Sequence, residues 1–132
     1  DWSSDVCSSD LCFAPIAGYS AFGSYTGNGS SDGPFVYCGF KPRYVLIKRA
    51  TGTSGGSDWC VYDTSRSTYN LSDLFLKPNT YDTEQSGSTN NPMDILSNGF
   101  KLRWSTSTSN ASGETFIYAA FAENPFNYSL AR

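Results

Sequence analysis

The chain has 132 residues, nine basic and twelve acidic side chains, no histidine and an aromatic fraction of 16 %. That is the length of one ordinary domain, with no basic stripe to suggest nucleic acid and no apolar run near the roughly 20 residues of a membrane-spanning helix. The missing histidine removes Ser-His and Cys-His nucleophiles and the HExxH zinc site together.

The first eleven residues, DWSSDVCSSDL, have no periodicity and no partner pattern downstream. They read codon for codon as the translation of a common sequencing-library adapter, so residues 1–11 are expected to be an artefact and are set aside. The natural N-terminus is then expected upstream. The plainer alternative is a flexible natural terminus of unusual composition. Without Asp1, Asp5 and Asp10, nine acids face nine bases, and the remainder is formally neutral. Cys7 also leaves, so Cys12, Cys38 and Cys60 remain. An odd number without C-x-x-C spacing is neither a disulfide framework nor a zinc site. Their apolar neighbours predict small buried hydrophobes, and a Cys38–Cys60 bridge is open but not required.

Residues 12–20 echo the other end of the chain. Cys12-Phe13-Ala14-Pro15 followed by Tyr19-Ser20 parallels Ala120-Phe121-Ala122-Glu123 followed by Tyr128-Ser129, with Pro15 where Glu123 stands. This predicts that 12–20 closes a truncated preceding module and that 21–132 forms one domain of a tandem array.

Gly39–Pro42 predicts a turn into a strand over 43–49. Val45 and Ile47 would face one way and Tyr44 and Leu46 the other, as in a strand covered on both faces. Lys48 and Arg49 would reach solvent at its end. A Gly-Ser loop leads to a strand at 59–63, and a short one at 74–77 stops at Pro78. Residues 79–92 are the longest polar loop and a candidate binding surface. Ser97-Asn98-Gly99 predicts a hairpin between 93–96 and 100–105, both Asn and Gly tolerating positive φ. Phe100, Leu102 and Trp104 would point inward there. The last strand, over 115–122, carries Ala119, Ala120 and Ala122, small enough for a facing sheet to approach closely. The predicted core is Val45, Ile47, Val61, Leu102, Trp104, Ile117 and Phe121. About eight strands separated by turns predict an all-β antiparallel β-sandwich of jelly-roll, laminin-G- or concanavalin-like type.

No catalytic residue is signalled. Gly52-Thr53-Ser54-Gly55-Gly56 fits G-x-S-x-G, but a strand follows where a helix is needed and the histidine is missing. The scattered carboxylates carry no paired motif, and a glycosidase pair is defined by geometry rather than sequence. The loop from Asp82 to Asp94 is the place for calcium if any, without EF-hand spacing; no metal or cofactor is expected. The sequons at Asn28, Asn70, Asn110 and Asn127 are no more than a Ser- and Asn-rich chain yields. The candidate binding residues are Tyr69, Tyr81, Asp82, Asn90 and Asn91. The simpler role for the two tyrosines is to cap a core edge.

Five stretches carry a family resemblance: YSAFGSYTGN at 19–28, GFKPRYVLIKR at 39–49, WCVYD at 59–63, DILSNGFKLR at 94–103 and NASGETFIYAAFAENPF at 110–126. Together they resemble an uncharacterised domain of bacteriophage tail and tail-fibre proteins, across nearly all of 12–132. The resemblance transfers no catalytic residue. It implies a non-enzymatic structural or adhesion module of a virion tail, bound to other tail proteins and homo-oligomeric in the full-length protein. A host-surface glycan is the further partner it allows. A carbohydrate-binding module is the alternative, and a glycan hydrolase domain a weaker one.

Overall fold

Gly39 and Pro42 do what their residue types dictate. Gly39 takes φ 80°, which only glycine adopts cheaply, and Pro42 opens the strand that follows. A computed structural model of the chain describes residues 13–52, 55–86 and 91–124. The proposed adapter residues, Cys12, Ser54, Asn90 and the Tyr128-Ser129 half of the echo lie outside them.

Seven strands run through the described residues: β1 (Ser20–Thr26), β2 (Phe35–Tyr37), β3 (Pro42–Arg49), β4 (Cys60–Asp63), β5 (Met93–Leu96), β6 (Gly99–Leu102) and β7 (Thr115–Ala122). They form a four-stranded sheet in the order β1-β7-β3-β4 and a three-stranded sheet in the order β2-β6-β5. Every pairing is antiparallel. The expected short strand at 74–77 is present only as isolated bridges, Phe75 to Gln85 and Leu76 to Val61.

Val45, Ile47, Cys60, Tyr62, Phe116 and Ala120 of the larger sheet share one buried cluster with Val36, Met93, Ile95, Phe100 and Leu102 of the smaller. Rings bridge the two sheets, Phe100 lying edge-on to Tyr118 at 5.5 Å and to Tyr25 at 6.2 Å. The chain is therefore all-β, with two antiparallel sheets facing each other across one core.

Three core expectations fail, for two reasons. Trp104 is 38 % exposed because β6 ends at Leu102, two residues before it. Ile117 and Phe121 sit on the outside of the larger sheet, with Ile117 42 % exposed. The inward residues of β7 are Phe116, Tyr118, Ala120 and Ala122. Apolar residues occupy both parities of that strand, so alternation did not decide which side faced in. Val45, Ile47 and Leu102 are in the core as expected. Val61 is buried, but opposite outward-facing Leu46 rather than between the sheets.

Two local readings are also corrected. The hairpin forms, with Ser97 and Asn98 as its loop, but neither Asn98 nor Gly99 adopts a positive φ. Gly99 is needed because a Cβ there would stand 2.0 Å from the Val36 carbonyl oxygen. Arg49 does not reach solvent: it is buried and donates from Nη1 to the Ser107 carbonyl at 3.2 Å. Cys38 and Cys60 are free thiols. Burial pushes each up to about 11.

Candidate functional site: an apolar outer sheet face

The register places Phe22 of β1, Ala119 of β7, Leu46 of β3 and Val61 of β4 in one row across the larger sheet. Neighbouring rows on that side add Ile117 beside Lys48, and Phe121 between Ser20 and Tyr44. Because side chains alternate across a strand, all of these point away from the core. Trp59, just before β4, closes one edge, with the Lys48 ammonium 5.9 Å from its ring centroid.

The face is concave. Phe22, Leu46, Trp59, Ile117 and Ala119 line a hollow of about 430 Å³, which continues along Tyr44 and Phe121. The chain before β1 runs onto the same surface. Phe13 stacks on Phe22 at 5.5 Å and meets Phe121 edge-on at 5.9 Å. Its segment is tied down where the Ser20 hydroxyl donates to Ala14 and where Ala122 donates to Tyr19. Residues 13–19, assigned from the sequence to a preceding module, are thus bonded to this one.

Four strands about 4.8 Å apart, with central strands of eight residues rising about 3.3 Å each, span roughly 500 Å² in projection. That figure covers the whole face, polar Ser20, Ser24, Lys48 and Asp63 included. The apolar content of β3, which predicted a strand covered on both sides, is the sequence signal for this face.

Of the sequence-named binding residues, the described ones, Tyr69, Tyr81, Asp82 and Asn91, do not line this face. Tyr69 and Tyr81 stand free at 85 % and 103 % exposure, so neither caps a core edge. The Asp82 carboxylate lies 3.6 Å from Lys77, which also holds Asp58 at 3.2 Å. Asn91 is only 2 % exposed and points inward. Its amide donates to the Thr108 hydroxyl at 2.9 Å and accepts from Thr106 at 2.7 Å and from Ser109. Its backbone carbonyl accepts from Tyr62 at 2.9 Å. Asn91 therefore clamps the loop between β6 and β7 to the core. Asn110 is likewise fully buried, its amide donating to Ser30 and Trp104 carbonyls.

Among the described residues, several carboxylates share a cation. Asp63 and Glu84 share Arg66 at 2.6 and 2.5 Å, and Asp32 and Asp94 share Arg103 at 3.9 and 3.3 Å. The Lys101 hydrogen bond holds Asp32 below the usual carboxylate range, and the Asn79 amide does the same for Asp58. Among the described residues no three His, Cys, Asp or Glu side chains converge as metal ligands would.

Fold and face together define an all-β module whose larger sheet carries apolar side chains on both sides. By sequence the chain belongs to the family described as Domain of unknown function (DUF7483), which matches residues 7–125 and so begins at Cys7, within the eleven N-terminal residues. No curated protein and no solved structure matches it.

Proposed function

We propose that this chain is a non-enzymatic structural module of a bacteriophage tail or tail fibre, a jelly-roll-type sandwich that associates with a second copy of itself through the outer face of its larger sheet. The observation that carries the reading is that face. Phe22, Leu46, Ile117, Ala119 and Phe121 form a contiguous apolar surface on a paired, rigid sheet. Burying it releases ordered water at roughly 25 cal/mol per Å² of apolar area.

The sequence resemblance supports the virion setting and the other tail proteins as neighbours. The chemistry supports the non-enzymatic part: there is no histidine. Among the described residues, the carboxylates with displaced pKa, Asp32 and Asp58, move down, away from what a general acid needs. Sedimentation velocity on the chain is the test. The wild type is expected to sediment as a dimer or larger at about 100 µM, a concentration that detects weak self-association. Leu46→Lys and Ile117→Lys are expected to return monomer with an unchanged circular dichroism spectrum. A wild type that stays monomeric at that concentration contradicts the proposal.

A further inference from the structure

A sheet edge presents a row of backbone N–H and C=O groups that need partners. Among the described residues the edge strands are β1 and β4 in the larger sheet and β2 and β5 in the smaller. The chain itself covers β4 and β5. Val61 exchanges two hydrogen bonds with Leu76, Met93 exchanges two with Ser72, and the Asn70 amide serves both the N–H and the carbonyl of Ile95. We infer that the free edge of β1 pairs antiparallel with β1 of a second copy, about a two-fold axis at Ser24, and joins two four-stranded sheets into one.

Parity shows which groups are available. The Ala122 N–H donates to the Tyr19 carbonyl at 2.8 Å, and the Gly27 N–H donates to the Glu114 carbonyl at 2.9 Å. Between these bonds the β1–β7 register runs without a shift. Ala21, Gly23 and Tyr25 therefore turn their backbone groups to β7, and Ser20, Phe22, Ser24 and Thr26 turn theirs outward. Ser20 is taken, since it exchanges two hydrogen bonds with Ile16. The outward groups of Phe22, Ser24 and Thr26 have no backbone partner among the described residues, and Gly23, Ser24 and Thr26 are exposed. On β2, bonds from Leu102 to Pro34 and from Cys38 to Asn98 leave only Phe35 and Tyr37 turned outward, a shorter edge.

The occupant is read from β1 itself. Natural edges are blunted by charge, proline or a bulge, and Ser20–Thr26 has none of the three. In an antiparallel pair centred on Ser24, Phe22 stands opposite Thr26 of the second copy, and Ser24 opposite its own counterpart. The first is an aromatic against a β-branched residue and the second a pair of hydroxyls, both favourable across strands. A two-fold axis sets a central charge against itself, and β1 carries no charge. The register also has a stop. Ile16 fills the position beside Ser20 that Asn28 of the second copy would need, so pairing covers residues 22–26 and ends there. Because Phe22 also belongs to the apolar face, joining the edges makes two outer faces continuous.

Hydrogen bonds at an exposed edge replace bonds to water, so the contact is weak by itself, with a Kd expected at several millimolar. It is thus separate from the outer-face association and contributes little near 100 µM. Copies tethered in one assembly reach effective concentrations in the millimolar range.

The test follows amide NMR spectra of the chain carrying Leu46→Lys from about 0.1 to about 2 mM. That background removes any outer-face contact, so the result does not depend on the outer-face reading. The Phe22, Ser24 and Thr26 amides are expected to shift with concentration while those of Phe35 and Tyr37 stay still. Adding Ser24→Lys or Ser24→Glu, each at an exposed position, is expected to abolish the shifts with the rest of the spectrum kept. An equimolar mixture of the two variants is expected to restore them, because opposite charges then meet at the axis. Four results would overturn the inference: β1 amides that do not move up to about 2 mM, movement confined to Phe35 and Tyr37, association indifferent to Ser24→Lys, or a mixture no better than either variant alone.

Discussion

Replacing Asn91 by alanine tests whether that residue is a structural clamp rather than a ligand contact. The substitution removes the amide that joins Thr106, Thr108 and Ser109. Those hydroxyls remain within reach of one another, Thr106 lying 3.1 Å from Thr108 and 3.2 Å from Ser109. The net loss is therefore about two hydrogen bonds, or about 2 kcal/mol. Alanine must also hold φ 71°, which asparagine tolerates and alanine does not, adding about 1 kcal/mol. The expected cost of Asn91→Ala is about 3 kcal/mol. Asn91→Gly loses the same amide without the backbone penalty, and about 2 kcal/mol is expected. Urea unfolding followed by tyrosine and tryptophan fluorescence reads both, the slope staying constant while the midpoint falls. The reasoning is refuted if both variants lie within about 0.5 kcal/mol of the wild type, or if glycine proves worse than alanine.

Phe116→Ala, at a fully buried ring stacked on Tyr25 at 5.3 Å, is expected to cost about 3–5 kcal/mol by urea unfolding, while Trp104→Ala costs less than about 1.5 kcal/mol. Gly99→Ala is expected to cost about 2 kcal/mol or more, because its Cβ meets the Val36 carbonyl and pushes β2 off β6; loss of the β2 amide protection in hydrogen exchange would report it. Stability is expected to fall as pH rises from about 9 to about 11: the Cys60 thiol is raised by burial when folded, so the unfolded chain loses its proton first, and Cys38 and buried Tyr25 and Tyr62 act in the same direction. Urea midpoints at pH 7, 9 and 10.5 would show this, and a Cys60→Ala variant with an equally steep decline would assign it elsewhere.

Much of the fold is legible in the sequence because short-range chemistry specifies it. The turn before β3, the 93–102 hairpin and the all-β class follow from Gly, Pro and Asn placement and from two-residue alternation. What alternation does not carry is the inward side of a strand that is apolar on both. In β7, Phe116 and Ile117 are equal claimants by hydrophobicity, and only pairing with β1 and β3 decides between them. The same ambiguity bears on the outer face, since Tyr44 and Leu46 read as side chains of a strand covered on both faces. Trp104 was misplaced because nothing local marks where β6 stops. Asn91 looked like a polar loop residue, and its burial depends on Thr106, Thr108 and Ser109 coming from beyond β6.

The central claim is that two copies meet through the outside of the β1-β7-β3-β4 sheet. A nitroxide at Ile117→Cys, in a chain with Cys7, Cys12, Cys38 and Cys60 replaced by serine or alanine, measures this by pulsed dipolar spectroscopy between copies. Packed sheets lie about 10 Å apart, so the account predicts an intermolecular distance distribution centred below about 30 Å that vanishes when Leu46→Lys is added. The same label at Tyr37→Cys, on the smaller sheet, should give a distinctly longer distance. A short distance from residue 37 together with no dipolar signal from residue 117 would contradict the account.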